Sequence, residues 1–133
     1  MKKLEKIGVQ LYTVREYMQT EAQIKETFQK LKQLGYDQVQ TAGCAVPYDV
    51  FGALAADAGL EIVGTHDDFD MMCNDFAQAY GNHEHLHTKL MGTGGFGFGK
   101  TQNSKMYEEF AQKANAVGEK IAAKGGKFTY HNH

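Results

Sequence analysis

Residues 7–14, Ile-Gly-Val-Gln-Leu-Tyr-Thr-Val, alternate with period two. Val9 and Leu11 share one face while Gly8, Gln10 and Tyr12 share the other, the pattern of a half-buried strand. The spacing then changes to helical. Ile24, Phe28, Leu31 and Leu34 recur along residues 21–34, and Gly35 supplies the stop. A second strand is predicted over residues 37–42, followed by a loop through Gly43. Pro47 suits the first turn of a second helix, which runs to Ala58 before Gly59 ends it. Residues 61–66, Glu-Ile-Val-Gly-Thr-His, read as a third strand.

A third helix is expected over residues 70–80, with Met71, Met72, Phe76 and Tyr80 as its buried side. Residues 85–91 read as the fourth strand, and a glycine-rich loop spans 92–99. The fourth helix covers about 104–124, where Tyr107, Phe110, Ala114, Val117 and Ile121 form an apolar stripe. Gly125 and Gly126 close it. Residues 127–133, Lys-Phe-Thr-Tyr-His-Asn-His, form a fifth strand with His131 and His133 on one face.

Strand and helix in strict alternation imply parallel strands joined by right-handed crossovers. A five-stranded doubly wound sheet normally ends with a helix covering its last strand, whereas this sequence ends on the strand. A (β/α)₈ barrel needs on the order of 250 residues. The 133 residues are therefore expected to form one partial domain, 1–133, equivalent to about half a TIM barrel. Placement of Gln10, Gln40, His66 and His131 toward the C-terminal ends of four strands favours the barrel, which carries its chemistry there.

Composition narrows the classes. With 42% hydrophobic and 23% charged residues, one proline and no tryptophan, the chain is ordinary globular sequence. A net charge of −2 gives no basic patch for nucleic acid or an anionic membrane. No apolar run approaches the roughly 20 residues of a membrane span. The basic N-terminus leads into a strand pattern rather than the apolar core of a signal peptide. Cys44 and Cys73 lack any C-x-x-C or zinc-finger spacing and read as reduced thiols, so the expected compartment is the cytoplasm.

Four stretches carry a resemblance: Gly8-Val-Gln-Leu-Tyr-Thr-Val-Arg15, Leu34-Gly-Tyr-Asp-Gln-Val39, Ala58-Gly-Leu-Glu-Ile-Val-Gly-Thr-His66 and Tyr130-His-Asn-His133. In order and content they resemble the xylose-isomerase-like TIM barrels, above all the sugar phosphate isomerase/epimerase branch. Inosose dehydratases and family 2 AP endonucleases share that fold. The resemblance implies a divalent metal (Mn, Mg, Zn or Co) at the barrel mouth. Its ligands are carboxylates and a histidine drawn largely from the fifth to eighth strands. It also implies a small polyol or keto sugar whose proton moves between adjacent carbons. By the same resemblance Gln10, His66, His131 and His133 are candidate substrate contacts. Where the family commonly has a late glutamate in strand two, this chain has Gln40, an amide that cannot act as a base. The carboxylates that follow Tyr-His-Asn-His in the family lie past His133, so no complete metal shell and little turnover are expected.

Other motifs compete. Gly94-Gly-Phe-Gly-Phe-Gly99-Lys100-Thr101 satisfies G-x-x-x-x-G-K-[ST], the pattern of a nucleotide-binding P-loop. Its helix should open at the Gly-Lys-Thr itself, whereas Gln102, Asn103 and Ser104 read as a loop and a later N-cap. His83-x-His85-x-His87 would align three imidazoles on a continuous strand, but Gly81-Asn82 suggests that His83 sits in a turn. Asp67 or Asp68 reads as a cap for the turn after His66. Five strands alone leave two edges and one sheet face uncovered, which is expected to drive a homo-oligomer through the open sheet.

Overall fold

Apolar residues at i, i+4 and i+7 (Ile24, Phe28 and Leu31) are fully buried on one side of α1 (Glu21–Gln33). Thr20 starts this helix by accepting from Gln23 N–H at 3.2 Å. Gly35, at φ 98°, ends it with the Tyr36 N–H returning to Leu31 O. Four strand-then-helix units and a fifth strand make up the computed structural model, which describes residues 4–97 and 99–133. Around α1 lie β1 (Gly8–Gln10), a 3₁₀ stretch over Leu11–Tyr17 and β2 (Gln38–Gln40). Next come α2 (Tyr48–Asp57), β3 (Glu61–Gly64), α3 (Phe69–Asn74) and α4 (Phe76–His85). The order closes with β4 (Leu90–Thr93), α5 (Ser104–Ala123) and β5 (Lys127–Tyr130).

The strands are parallel, in the order β1-β2-β3 and β4-β5. The two groups join just past β3, where Thr65 N–H meets Leu90 O at 3.2 Å and Asp67 N–H meets Gly92 O at 2.8 Å. The sequence therefore traces one curved parallel sheet in chain order, with helices on its outer face. Among the described residues the sheet does not close into a barrel. This is the partial-barrel arrangement expected from the alternation.

Two apolar clusters hold the helices to the sheet. The first gathers Phe28, Phe51, Val39, Ile62 and Leu86, with Phe28 edge-on to Phe51 at 5.4 Å. The second gathers Met72, Ala79, Met91, Val117 and Ile121. Val39 and Ile62 face the helices, so their neighbours Gln38, Gln40 and Glu61 face the concave side. There Glu61 accepts from Gln38 Nε2 and pairs with Lys6, both at 2.9 Å. By the same alternation Val63 lies on that side beside these polar groups.

Several boundaries differ from the sequence reading. The strand pattern over residues 7–14 stops at Gln10, where Gln10 caps a 3₁₀ turn starting at Leu11, and the fifth strand ends at Tyr130 rather than 133. The expected single helix over 70–80 is two helices, because Asp75 adopts φ −142° and ψ 70° and caps α4 through Gln78 N–H. Of its expected buried side, only Met72 is fully enclosed. Helix α4 then continues through Gly81 and Asn82, so the predicted turn there is helical. The fourth strand consequently starts at Leu90 rather than residue 85. His83 is buried in α4, while His85 and His87 are exposed, so the three imidazoles do not align.

Candidate functional site

The C-terminal ends of the strands border a groove of about 1070 Å³. Gln10 reaches it from the end of β1, His66 from beyond β3, Gly94 to Gly97 from beyond β4, and His131 and His133 from beyond β5. All four residues singled out from sequence line this one groove. Gln40, by contrast, is not among its lining residues. The segment after β5 is held by His131 N–H donating to Thr93 O at 3.1 Å, which extends the β4–β5 ladder.

A side-chain chain links these groups. Gln10 Oε1 accepts from the Tyr12 N–H, which fixes the amide so that Nε2 faces His66 Nδ1 at 3.0 Å. An amide nitrogen only donates, so His66 Nδ1 accepts and its proton resides on Nε2. The His66 ring meets His131 edge-on at 4.8 Å, and His131 meets His133 at 4.6 Å. His133 Nε2 donates to Gly94 O at 2.7 Å, tying the strand end to the glycine-rich loop. Burial, then the neighbouring charges of His131 and His133, hold His66 below the ordinary histidine pKa. His66 is therefore neutral near pH 7, with one donor and one acceptor in defined places.

This arrangement gives an expected outcome. Gln10→Glu would set a carboxylate against His66 Nδ1 and reward its protonation. The His66 pKa, followed by NMR of the ring Cε1–H, should rise above the native value. No change would show that Gln10 does not govern that nitrogen.

The sequence reading missed the partnership of Tyr48 and Asp67. The Tyr48 hydroxyl lies 2.8 Å from both Asp67 oxygens, and Asp67 Oδ1 also accepts from Asp68 N–H at 2.9 Å. Capping belongs to Asp68, which accepts from Met71 N–H at 3.1 Å. Asp67 instead presents its carboxylate at the groove, on the residue following His66. Burial, then the hydrogen bond to Asp67, pushes the Tyr48 phenol upward, so it remains a proton donor. The same burial, reinforced by the Asp67 charge, takes the Cys44 thiol up to about 12, and Cys44 stays protonated. No spacing rule links residues 48 and 67. Only the docking of α2 beside the end of β3 brings them together.

The opposite wall is aromatic. Phe96 stacks on Phe110 of α5 at 4.1 Å, and Phe110 meets Phe69 at 5.0 Å and Tyr130 at 5.1 Å. Gln102 Nε2 donates to Phe96 O at 3.2 Å. Phe96 of the glycine-rich loop is thus seated on α5. Its helix begins only at Ser104, with Asn103 accepting from Met106 N–H, so Lys100 and Thr101 precede the helix instead of opening it. Phe98, within that motif, lies outside the described residues.

Among the described residues no group of three or more His, Cys, Asp or Glu is placed to hold a metal ion. His66 Nδ1 is taken by Gln10, and His133 Nε2 by Gly94 O. The donor set among the described residues does not fit the divalent cation that the resemblance implies. Both cysteines are free thiols, and no helix among the described residues is long and apolar enough to cross a membrane.

No family model matches the sequence, and no curated protein matches it. Solved structures do share its fold. A family 2 AP endonuclease from Brucella melitensis superposes with a TM-score of 0.67 at 16% identity, over 96% of this chain and 55% of that one. A xylose isomerase-like TIM barrel/4-hydroxyphenylpyruvate dioxygenase fusion protein gives 0.61 at 14% identity, over 92% of this chain and 21% of that one. The chain thus has the fold of part of a xylose-isomerase-like TIM barrel. It spans about half the length of the endonuclease it matches.

Proposed function

We propose that this chain binds a small polyol or keto sugar in the groove at its strand ends, as the substrate-holding part of a sugar isomerase- or epimerase-type site. The observation that carries this reading is the convergence of Gln10, His66, His131 and His133 from three separate strands onto one groove. A sugar offers hydroxyl groups that both donate and accept, with a C–H face that packs on aromatic rings. The groove offers the complement. Nε2–H of His66 donates to a hydroxyl, the Asp67 carboxylate accepts from one, and Phe96 supplies an apolar surface. Tyr48 and the Asp68 N–H hold Asp67 in place, which lowers the ordering cost of binding.

Proton transfer between adjacent carbons is the reaction class that suits such a substrate in the complete barrel. The divalent cation of that chemistry is not assigned to residues of this chain, so binding without appreciable turnover is expected. The test is an NMR titration of the labelled chain with sorbitol. Saturable shifts at His66, His131 and Asp67, lost in His66→Ala, are expected. Shifts confined to other surfaces, or none at millimolar ligand, would remove the proposal.

A further inference from the structure

The charge of the groove narrows its ligand, and this inference rests on the groove being the sugar site. Three carboxylates line it (Asp67, Asp68 and Asp70), whereas none of its described lining residues is Lys or Arg. Its histidine with a lowered pKa, His66, adds no positive charge near neutral pH. Two amides beside the groove are also already taken. Phosphate groups in α/β folds sit on free backbone N–H groups at helix starts. Here the Asp68 and Met71 N–H groups at the entry to α3 already donate to Asp67 and Asp68 carboxylates. Each of those amides faces a negative group where a phosphate would have to approach.

The cations in the neighbourhood are directed elsewhere. Arg15 lies over the Tyr12 ring at 4.3 Å and donates to Tyr12 O at 2.9 Å. It borders a separate, smaller cavity of about 270 Å³ beside Cys44 and Phe51. Lys100 follows the glycine-rich loop but is not among the groove's lining residues. A phosphate ester entering the groove would therefore meet three carboxylates and, among the described lining residues, no Lys or Arg to offset them. A neutral polyol meets the same carboxylates as hydrogen-bond acceptors.

We infer that the groove selects an unphosphorylated, uncharged sugar or polyol and discriminates against its phosphate ester. The selectivity is electrostatic, so it weakens as salt rises.

The experiment compares sorbitol with sorbitol 6-phosphate at equal ionic strength, following the His66 and Asp67 signals of the full chain, with inorganic phosphate as competitor. Sorbitol should bind at least about tenfold more tightly than its ester. Inorganic phosphate should not displace it. Asp70→Asn removes one of the three carboxylates that line the groove and keeps a polar side chain in its place. The same variant should tighten the ester about threefold or more. Equal or tighter binding of the ester, or displacement by inorganic phosphate, would overturn the selectivity while leaving sugar binding intact. If neither ligand moves the groove signals, the sugar reading and the selectivity both fall.

Discussion

His83→Ala is expected to lower the stability of the chain by about 3 kcal/mol, the sum of a cavity and a stranded hydrogen bond. His83 is 1% exposed and belongs to α4, yet both ring nitrogens are occupied. Its Nδ1 lies 2.7 Å from Ala79 O, a carbonyl that can only accept, so the ring proton is on Nδ1. Nε2 then accepts from the Thr65 hydroxyl at 2.7 Å, while Thr65 Oγ1 accepts from Gly92 N–H at 3.1 Å. One imidazole thus fastens α4 to Thr65, the residue after β3 and before His66, and through it to β4. His83→Leu fills most of the volume but leaves the Thr65 hydroxyl without its acceptor, and should cost about 1–2 kcal/mol. Urea unfolding followed by circular dichroism measures both variants. Losses under about 0.5 kcal/mol in each would show that the pairing is energetically idle.

The same geometry sets a pH dependence. Burial holds His83 below the ordinary histidine pKa, against a smaller upward pull from the Ala79 carbonyl. In the unfolded chain the ring titrates near 6.5, so between the two values the unfolded state binds the extra proton. Stability should be level above about pH 6.5 and fall as the pH drops below it. His66 has a lowered pKa as well and contributes in the same direction. His83→Leu should flatten the acid side of the profile. An unaltered slope would assign the acid sensitivity to other groups.

Gly52→Ala should destabilise the chain by about 2 kcal/mol, although alanine is the better helix former by ~1 kcal/mol. A Cβ at Gly52 would lie 2.0 Å from His85 O and 3.0 Å from His85 C. The obstacle is backbone at the end of α4, which cannot swing aside as a long side chain can. Accommodating the methyl group means moving α2 away from α4 and loosening the packing of Phe51 and Leu86. Gly81 provides the contrast. It sits inside α4 with nothing within 4 Å of a built Cβ, so Gly81→Ala should stabilise by up to ~1 kcal/mol. Opposite signs for the two substitutions, read from denaturation midpoints, are the expected result. A neutral or stabilising Gly52→Ala would mean that the helices separate freely.

Much of this architecture was legible because it rests on local rules. The helical spacing of α1 survives folding, since Ile24, Phe28 and Leu31 face the core that it requires, whereas the period-two run over 7–14 holds only through Gln10 before the 3₁₀ turn. The alternation of elements restricts the strands to parallel neighbours in chain order. The segment between Asp68 and Leu90 was misread for an equally physical reason. Gly81 and Asn82 have weak helical preference, and tertiary contacts such as the pairing of buried His83 with Thr65 hold them in α4. Asp75, which breaks the expected third helix, caps a new one through a residue three positions later.

The sequence by itself determined the alternation of strands and helices and the residues that occupy the strand ends, because both follow from spacing along a single chain. It also marked Gln10, His66, His131 and His133. Tertiary structure decided that their side chains meet in one groove, that Tyr48 holds Asp67 there, and that Gln10 fixes which nitrogen of His66 bears the proton. Those contacts join residues 19 to 56 positions apart in the chain. Their distances depend on how the sheet curves and how α2 docks, and no local periodicity records either.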